Sequence, residues 1–212
     1  MVFEDLLRAV GDEPVFETGL LLAGDVDRRD VERQLSRWTA SGRLLKLRRG
    51  VYALAPPYAK SAPHPYLVAN RLVPGSYVSL QSALAHHGLI PEHVPVTTSV
   101  TPGRPARWTT PLGTFDFRHL KRALVLGYER VPLPNGQSAL IARPEKALLD
   151  LVHLEAGTDD PRALAELRLQ HLDGLDVAWL RRQGRRSSPK LDRAARRIER
   201  LADAERSEYR SL

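Results

Sequence analysis

Apolar positions along the chain change their spacing several times, and each change marks an element. Phe3, Leu6, Leu7 and Val10 recur at helical spacing. A second apolar segment, Leu20 to Ala23, ends at Gly24, shortly before Asp27. A third helix is expected from Asp27. With Arg29 set at 0°, Arg33 falls at roughly 40° and Arg37 at roughly 80°, whereas Val31, Leu35 and Trp38 cluster at about 180 to 240°. One side is therefore basic and the opposite side apolar. Asp27 stands as N-cap, Asp30 lies in the first turn where the helix dipole favours negative charge, and Gly42 is placed to end the helix. Two short runs follow, Leu44 to Leu47 and Val51 to Leu54, on either side of Arg48-Arg49-Gly50, a sequence suited to a tight hairpin turn.

Four prolines between Pro56 and Pro65 exclude a helix interior or a central strand there. They set a linker at 58–65 between a first domain, 1–57, and a second, 66–212. Beyond it Tyr66 to Leu72 reads as a short helix, and Ser79 as the N-cap of a helix from Leu80 to His87. A β-rich middle, 94–141, holds Val94 to Val100, Gly113 to Phe117, Glu129 to Leu133 and Ala139 to Ile141, with a turn at Pro134-Asn135-Gly136. The remainder, 143–212, is expected to be helical. Arg143 to Glu155 carries Pro144 in its first turn and Ala147, Leu148, Leu151 and Leu154 on one side. Pro161 to Leu169, Val177 to Gln183 and Pro189 to Arg206 follow, with breaks at Asp173-Gly174 and from Gly184 to Ser188. The fold class is α+β.

Charge sharpens the picture of the first domain. Arg28 to Arg49 holds eight basic residues against two acidic ones, while Glu4 to Asp27 holds seven acids and a single arginine. Helix, short helix, turn, basic helix and basic hairpin is the order of a winged helix-turn-helix, which presents its last helix to a major groove. Double-stranded DNA is the expected partner. Arg29, Arg33 and either Gln34 or Arg37 would read base edges, Lys46, Arg48 and Arg49 would bind phosphates, and Arg28 belongs to the same face. The plainer alternative is a solvated basic helix. In the last helix Leu191, Ala194, Ala195, Ile198, Leu201 and Ala202 form a buried stripe, with Arg193, Arg196, Arg197 and Arg200 opposite, either as a second basic surface or as a solvated face.

The whole chain has 212 residues, 42% of them hydrophobic, and a formal net charge of +7, which favours an anionic partner. The absence of cysteine excludes disulfides, thiolate catalysis and cysteine-ligated zinc. The N-terminus, MVFEDLLRAV, is short and acidic for a signal peptide, and no apolar run approaches the roughly 20 residues of a membrane span. A cytoplasmic protein is expected, without membrane association.

Five phrases in order, LKLRRGVYAL (Leu45 to Leu54), YVSLQSALAHHGLI (Tyr77 to Ile90), GTFDFRHL (Gly113 to Leu120), IARPEKALLDLV (Ile141 to Val152) and SPKLDRAARRI (Ser188 to Ile198), resemble the AbiEi family of abortive-infection antitoxins. The resemblance spans nearly the whole chain. It implies an N-terminal winged helix that represses its own operon at an inverted-repeat operator, and a C-terminal antitoxin domain that neutralises a nucleotidyltransferase-like toxin. Members are usually classed as type IV toxin-antitoxin systems, in which neutralisation need not involve a stable complex. It places Ser79, Pro144, Glu145, Lys146 and Asp150 in the recognisable motifs of that domain, although Pro144 to Ala147 reads equally well as an ordinary first turn of a helix.

Catalytic constellations are thin. No acid stands two residues before any lysine, and there is no glycine-rich phosphate loop and no His-Glu-x-x-His. His86 and His87 are adjacent and so diverge on a helix. Asp116 and His119 form the one acid and base pair to consider for a metal-dependent nuclease. The expectation is therefore a DNA-binding antitoxin that is not an enzyme and uses no cofactor or metal, acting as a dimer or cooperatively on paired half-sites. The alternative is a winged helix that serves only protein interaction.

Overall fold

Aromatic packing brings the first elements together. The computed structural model describes residues 2–23, 26–92 and 94–210. Helix α1 (Phe3–Val10) buries Phe3, Leu6 and Val10. A short strand β1 (Phe16–Glu17), a 3-10 helix (Thr18–Leu22), helix α2 (Arg28–Ala40) and the hairpin strands β2 (Leu44–Arg48) and β3 (Val51–Leu54) follow. Strand β1 pairs antiparallel with β3, so the small sheet has the order β1-β3-β2. Asp27 caps α2 by accepting a hydrogen bond from the Arg29 amide at 2.8 Å. Val31, Leu35 and Trp38 are buried with Leu44, Tyr52 and Leu54, and the Phe3 ring stands edge-on to Trp38 and to Tyr58 at 5.2 and 4.9 Å. Gly50, at a φ of +79°, forms the hairpin turn, and its carbonyl accepts from the Thr18 amide at 2.9 Å.

Two sequence expectations need correction here. The helix expected at Leu20 to Ala23 is a 3-10 helix that starts earlier, at Thr18. Strand β1 was not expected, because two residues show no period. The turn placed at Gly24 lies outside the described residues.

The hairpin is buried from both sides. Leu44, Tyr52 and Leu54 face α1 and α2, whereas Leu47, Val51 and Ala53 join the core of the second domain, together with Val15. The proline-rich segment between the domains is also held in place. Gln137 accepts from the His64 amide at 2.8 Å and donates to the Ala62 carbonyl at 2.9 Å, while Lys60 pairs with Asp12 and Arg71 with Glu13.

The second domain comprises α3 (Pro65–Leu72), β4 (Tyr77–Val78), α4 (Leu80–His86), β5 (Val96–Thr101), β6 (Ala106–Thr110), β7 (Gly113–His119), β8 (Tyr128–Pro132), β9 (Ser138–Ala142), α5 (Pro144–Leu154), α6 (Pro161–Glu166), α7 (Val177–Ser187) and α8 (Pro189–Arg210). Its mixed sheet has the order β6-β7-β5-β4-β9-β8. Strand β4 runs parallel to β9 with Val78 opposite Ile141, and β5 runs parallel to β7; the other pairs are antiparallel. With eight α-helices and two sheets among the described residues, the fold is α+β. No described helix is long and apolar enough to cross a membrane.

Strand β6 was not assigned from the sequence, since its half-exposed ARWTT lacks an apolar alternation. Helix α6 stops at Glu166, short of the expected Leu169. The break expected from Gly184 is likewise corrected, because α7 continues to Ser187. Glycine inside a helix costs about 1 kcal/mol relative to alanine, which is why it suggested an end. Its place in the fold is explained by α8: a Cβ on Gly184 would stand 2.8 Å from the Leu191 carbonyl oxygen and 2.9 Å from the Ala195 Cβ.

Two outcomes follow from this packing. Gly184→Val is expected to destabilise the protein by about 1 to 3 kcal/mol through overpacking, measured by urea denaturation; unchanged stability would show that α7 and α8 have room to separate. Because the hairpin belongs to both cores, the two domains should melt in a single calorimetric transition. A separate early transition for residues 1–57 would contradict the shared core.

Candidate functional site

The first candidate site is the basic side of α2 and the hairpin. Arg28, Arg29, Arg33 and Arg37 are exposed, as the helical count requires, whereas Gln34 is half-buried at the margin of the core. Arg33 pairs with Asp30, and Arg28 lies 3.7 Å from Glu32. Arg29 and Arg37 make no side-chain hydrogen bond or ion pair among the described residues. In the hairpin Lys46 and Arg49 are exposed. Arg48 is half-buried: it donates to the Arg49 carbonyl at 3.2 Å, and its Nε is buried without a partner. A groove of about 670 Å³ separates α2 from the hairpin, and Arg28, Lys46 and Arg49 line it with Glu32, Ser36 and Tyr52. The structure thus assembles Arg28, Lys46 and Arg49 around one groove, with Arg29, Arg33 and Arg37 along the adjoining ridge, and sets Arg48 and Gln34 back from both.

On α8, Arg193 pairs with Asp159 at 3.3 Å and Arg196 with Asp192 at 2.7 Å. Arg197 and Arg200 have no such partner among the described residues, and neither do the exposed Arg182, Arg185 and Arg186 of α7. The arginines of this second basic region were only partly identified from the sequence, because α7 was expected to end before Arg185.

A second constellation lies inside the larger domain. Strands β4 and β9 are parallel neighbours, and each passes directly into a helix, so the ends of the strands and the first turns of α4 and α5 lie together. Tyr77 and Ser79 are two residues apart on extended chain; Lys146 and Asp150 are one helical turn apart on α5. The Asp150 carboxylate, 1% exposed, accepts from the Tyr77 hydroxyl at 2.9 Å and the Ser79 hydroxyl at 2.8 Å, and pairs through its other oxygen with Lys146. Burial pushes the Asp150 carboxyl up, against the pull of Lys146 and the two hydroxyls. Burial and then the neighbouring carboxylate raise the Tyr77 phenol far above its ordinary value. The Tyr77 ring stacks on Tyr128 at 4.6 Å.

Ser79 therefore occupies the N-cap position of α4 without capping it, since its hydroxyl is committed to Asp150. Pro144 and Glu145 stand apart from this cluster. Pro144 opens α5, and Glu145 accepts from the Asp176 amide at 2.7 Å, tying α5 to the start of α7. Tyr77 was missed in the sequence, although it lies in the same phrase as Ser79. The legible signal was Asp150 inside the apolar run ALLDLV, four residues after Lys146 at the head of that run.

The nuclease pair does not assemble. Asp116 and His119 are three residues apart on β7 and so project from opposite faces, and the His119 ring is bonded to the Gly103 carbonyl at 2.8 Å. His87 is occupied by the Ala142 carbonyl at 2.8 Å. Among the described residues no group of three or more histidine, aspartate or glutamate side chains is placed to hold a metal ion. No protein-family model matches this chain, and no curated protein matches it.

Lys146→Met would leave Asp150 buried without its counter-charge, and breaking such a pair typically costs about 3 to 5 kcal/mol. Adding Asp150→Asn, which removes the charge and keeps an acceptor for both hydroxyls, is expected to recover most of that loss in urea unfolding. Equal stability of Lys146→Met and the parent would show that the pair is not what balances the site.

Proposed function

We propose that the chain is a DNA-binding antitoxin of the AbiEi type, in which a winged helix at the N-terminus represses its own operon and the second domain neutralises a nucleotidyltransferase-like toxin. The observation that carries the DNA-binding part is the exposed arginine side of α2 beside a hairpin with Lys46 and Arg49 at its outer edge. The element order and the sheet order β1-β3-β2 support the winged-helix reading. The antitoxin part is supported by the quoted sequence phrases, two of which supply Tyr77, Ser79, Lys146 and Asp150 to one buried cluster.

Two basic side chains are already paired with acids, but both pairs are solvent-exposed. Exposed pairs are worth about 0 to 1 kcal/mol, whereas a bidentate arginine on guanine gives about 1 to 3 kcal/mol of discrimination. DNA would therefore displace Asp30 from Arg33. Arg29, Arg33 and Arg37 are assigned to base edges, and Arg28, Lys46 and Arg49 to phosphates. One module of this size seldom binds tightly at cellular salt, so two copies on paired half-sites are part of the proposal. Catalysis is not.

A second reading is favoured by one observation, the burial of the hairpin's outer face in the second domain: the winged helix would then serve only as a packing module. Footprinting and fluorescence anisotropy on the DNA upstream of the chain's own reading frame separate the two. Arg29→Ala is expected to relax discrimination between operator and random DNA, while Arg49→Ala weakens both alike. With about 6 to 10 phosphates neutralised, affinity should fall roughly 10³ to 10⁵-fold between 50 and 200 mM salt. No footprint, or full operator affinity in both variants, would favour the packing module.

A further inference from the structure

Beyond the DNA and antitoxin roles proposed above, the second domain contains a cleft that reaches the buried Lys146 and Asp150 pair from the side of α7. We propose that the cleft between α5 and α7 binds a small amphipathic organic monoanion, an aryl or alkyl carboxylate or sulfonate, with its charge at Lys146 and Arg186 and its apolar part against Leu124, Leu126 and Trp179. The cleft has a volume of about 380 Å³, within the range of roughly 300 to 1,000 Å³ usual for small-molecule sites. It is built from two facing helix sides. Lys146, Leu149, Asp150 and His153 come from α5, and Trp179, Gln183 and Arg186 from α7, each set at helical i, i+3/i+4, i+7 spacing. Leucines from the segment after β7 close the apolar wall.

Lys146 points to what the cleft would hold. Its side chain is 6% exposed and lines the cleft, and its one hydrogen bond among the described residues goes to Asp150. An ammonium has three protons to donate; one goes to Asp150 and the Tyr77 ring lies 5.9 Å from the nitrogen, which leaves a proton for an acceptor in the cleft. Arg186 lines the same space and has no hydrogen-bond partner among the described residues. Charge fixes the sign of the ligand. Among the residues that line the cleft, with Asp150 matched to Lys146, Arg186 leaves one positive charge in excess, and Lys121 and Lys190 stand outside it with the same sign. His153 adds none near neutral pH, because burial first and then the nearby lysines lower its pKa against the opposing Asp150. One negative charge balances the cleft, and the leucine wall asks for hydrocarbon behind it.

This site stands apart from DNA binding and can be tested without it. The probe is 1-anilinonaphthalene-8-sulfonate, a fluorescent aryl monoanion, titrated into the full chain. One probe per chain is expected to bind saturably; 1-naphthoate should displace it, and the neutral 1-naphthamide should not. Arg186→Glu lies on an exposed side chain and is expected to weaken binding at least tenfold. Ala123→Trp, at an exposed position on the cleft's edge, is expected to block it. Circular dichroism and melting temperature confirm that both variants are folded. Absence of saturable binding, or binding that both variants leave intact, would overturn the site. Displacement by the amide as readily as by the carboxylate, or loss with Ala123→Trp alone, would overturn the anionic ligand.

Discussion

A carboxylate taken out of water has to be balanced, and the larger domain is arranged around that requirement. Asp150 sits within the apolar run of α5, and its carboxylate accepts three hydrogen bonds from three separate stretches of chain, β4, the turn into α4 and α5 itself. Isolated, the ion would face a penalty of several kcal/mol even after relaxation. The parallel pairing of β4 with β9 is what brings Tyr77 and Ser79 within reach. The backbone carries a consequence. With Ser79 turned toward Asp150, Leu80 begins α4 at a φ of +52° while fully buried, a conformation that costs a non-glycine residue about 1 to 3 kcal/mol and persists only where the surroundings enforce it. The cluster and the strained leucine are two aspects of one junction.

The β2–β3 hairpin plays the corresponding part between the domains. A hairpin free of the rest of the protein would have one face on its helices and the other in water. Here the second face carries Leu47, Val51 and Ala53 into the neighbouring core, so the α2 ridge is held in a fixed orientation relative to the larger domain. For the proposed DNA binding, a rigid attachment would remove the freedom that a flexible linker gives two modules searching for spaced half-sites. It would also lose less entropy when the spacing is right.

Much of this was legible in the sequence, and what was not has identifiable physical causes. The helices with a clean apolar side, α1 and α2, were found nearly to the residue, because their burial follows their period, and α5 because Pro144 opens it and an apolar run fills it. So was the Arg29, Arg33, Arg37 ridge. Three of the misses share a cause: at each, tertiary packing overrode local preference. Gly184 reads as a helix end until α8 crosses against it. Ser79 reads as a cap until Asp150 takes its hydroxyl. The prolines from Pro56 to Pro65 read as a tether until Gln137, far along the chain, holds the segment by two hydrogen bonds. The cluster around Asp150 was beyond reach for the same reason, since its members lie about seventy residues apart and meet only through the strand order.

Charge was the most transferable signal, and its limits follow from the same structure. Residues 61–180 hold eleven basic and eleven acidic side chains, so the excess positive charge lies toward the two ends of the sequence. Counting could not tell which of those cations are engaged. Arg193 and Arg196 are held by acids at 3.3 and 2.7 Å, and Arg48 is folded back on its own turn, whereas Arg29, Arg37 and Arg49 project without partners among the described residues. A polyanion responds to the long-range field of all of them, but orientation on a duplex comes from those that reach its groove. In the proposed DNA complex the exposed acids Asp30 and Glu32 would act as weak competitors: they would lower non-specific attraction at the ridge and yield only where a base edge offers arginine a better geometry than a surface carboxylate does.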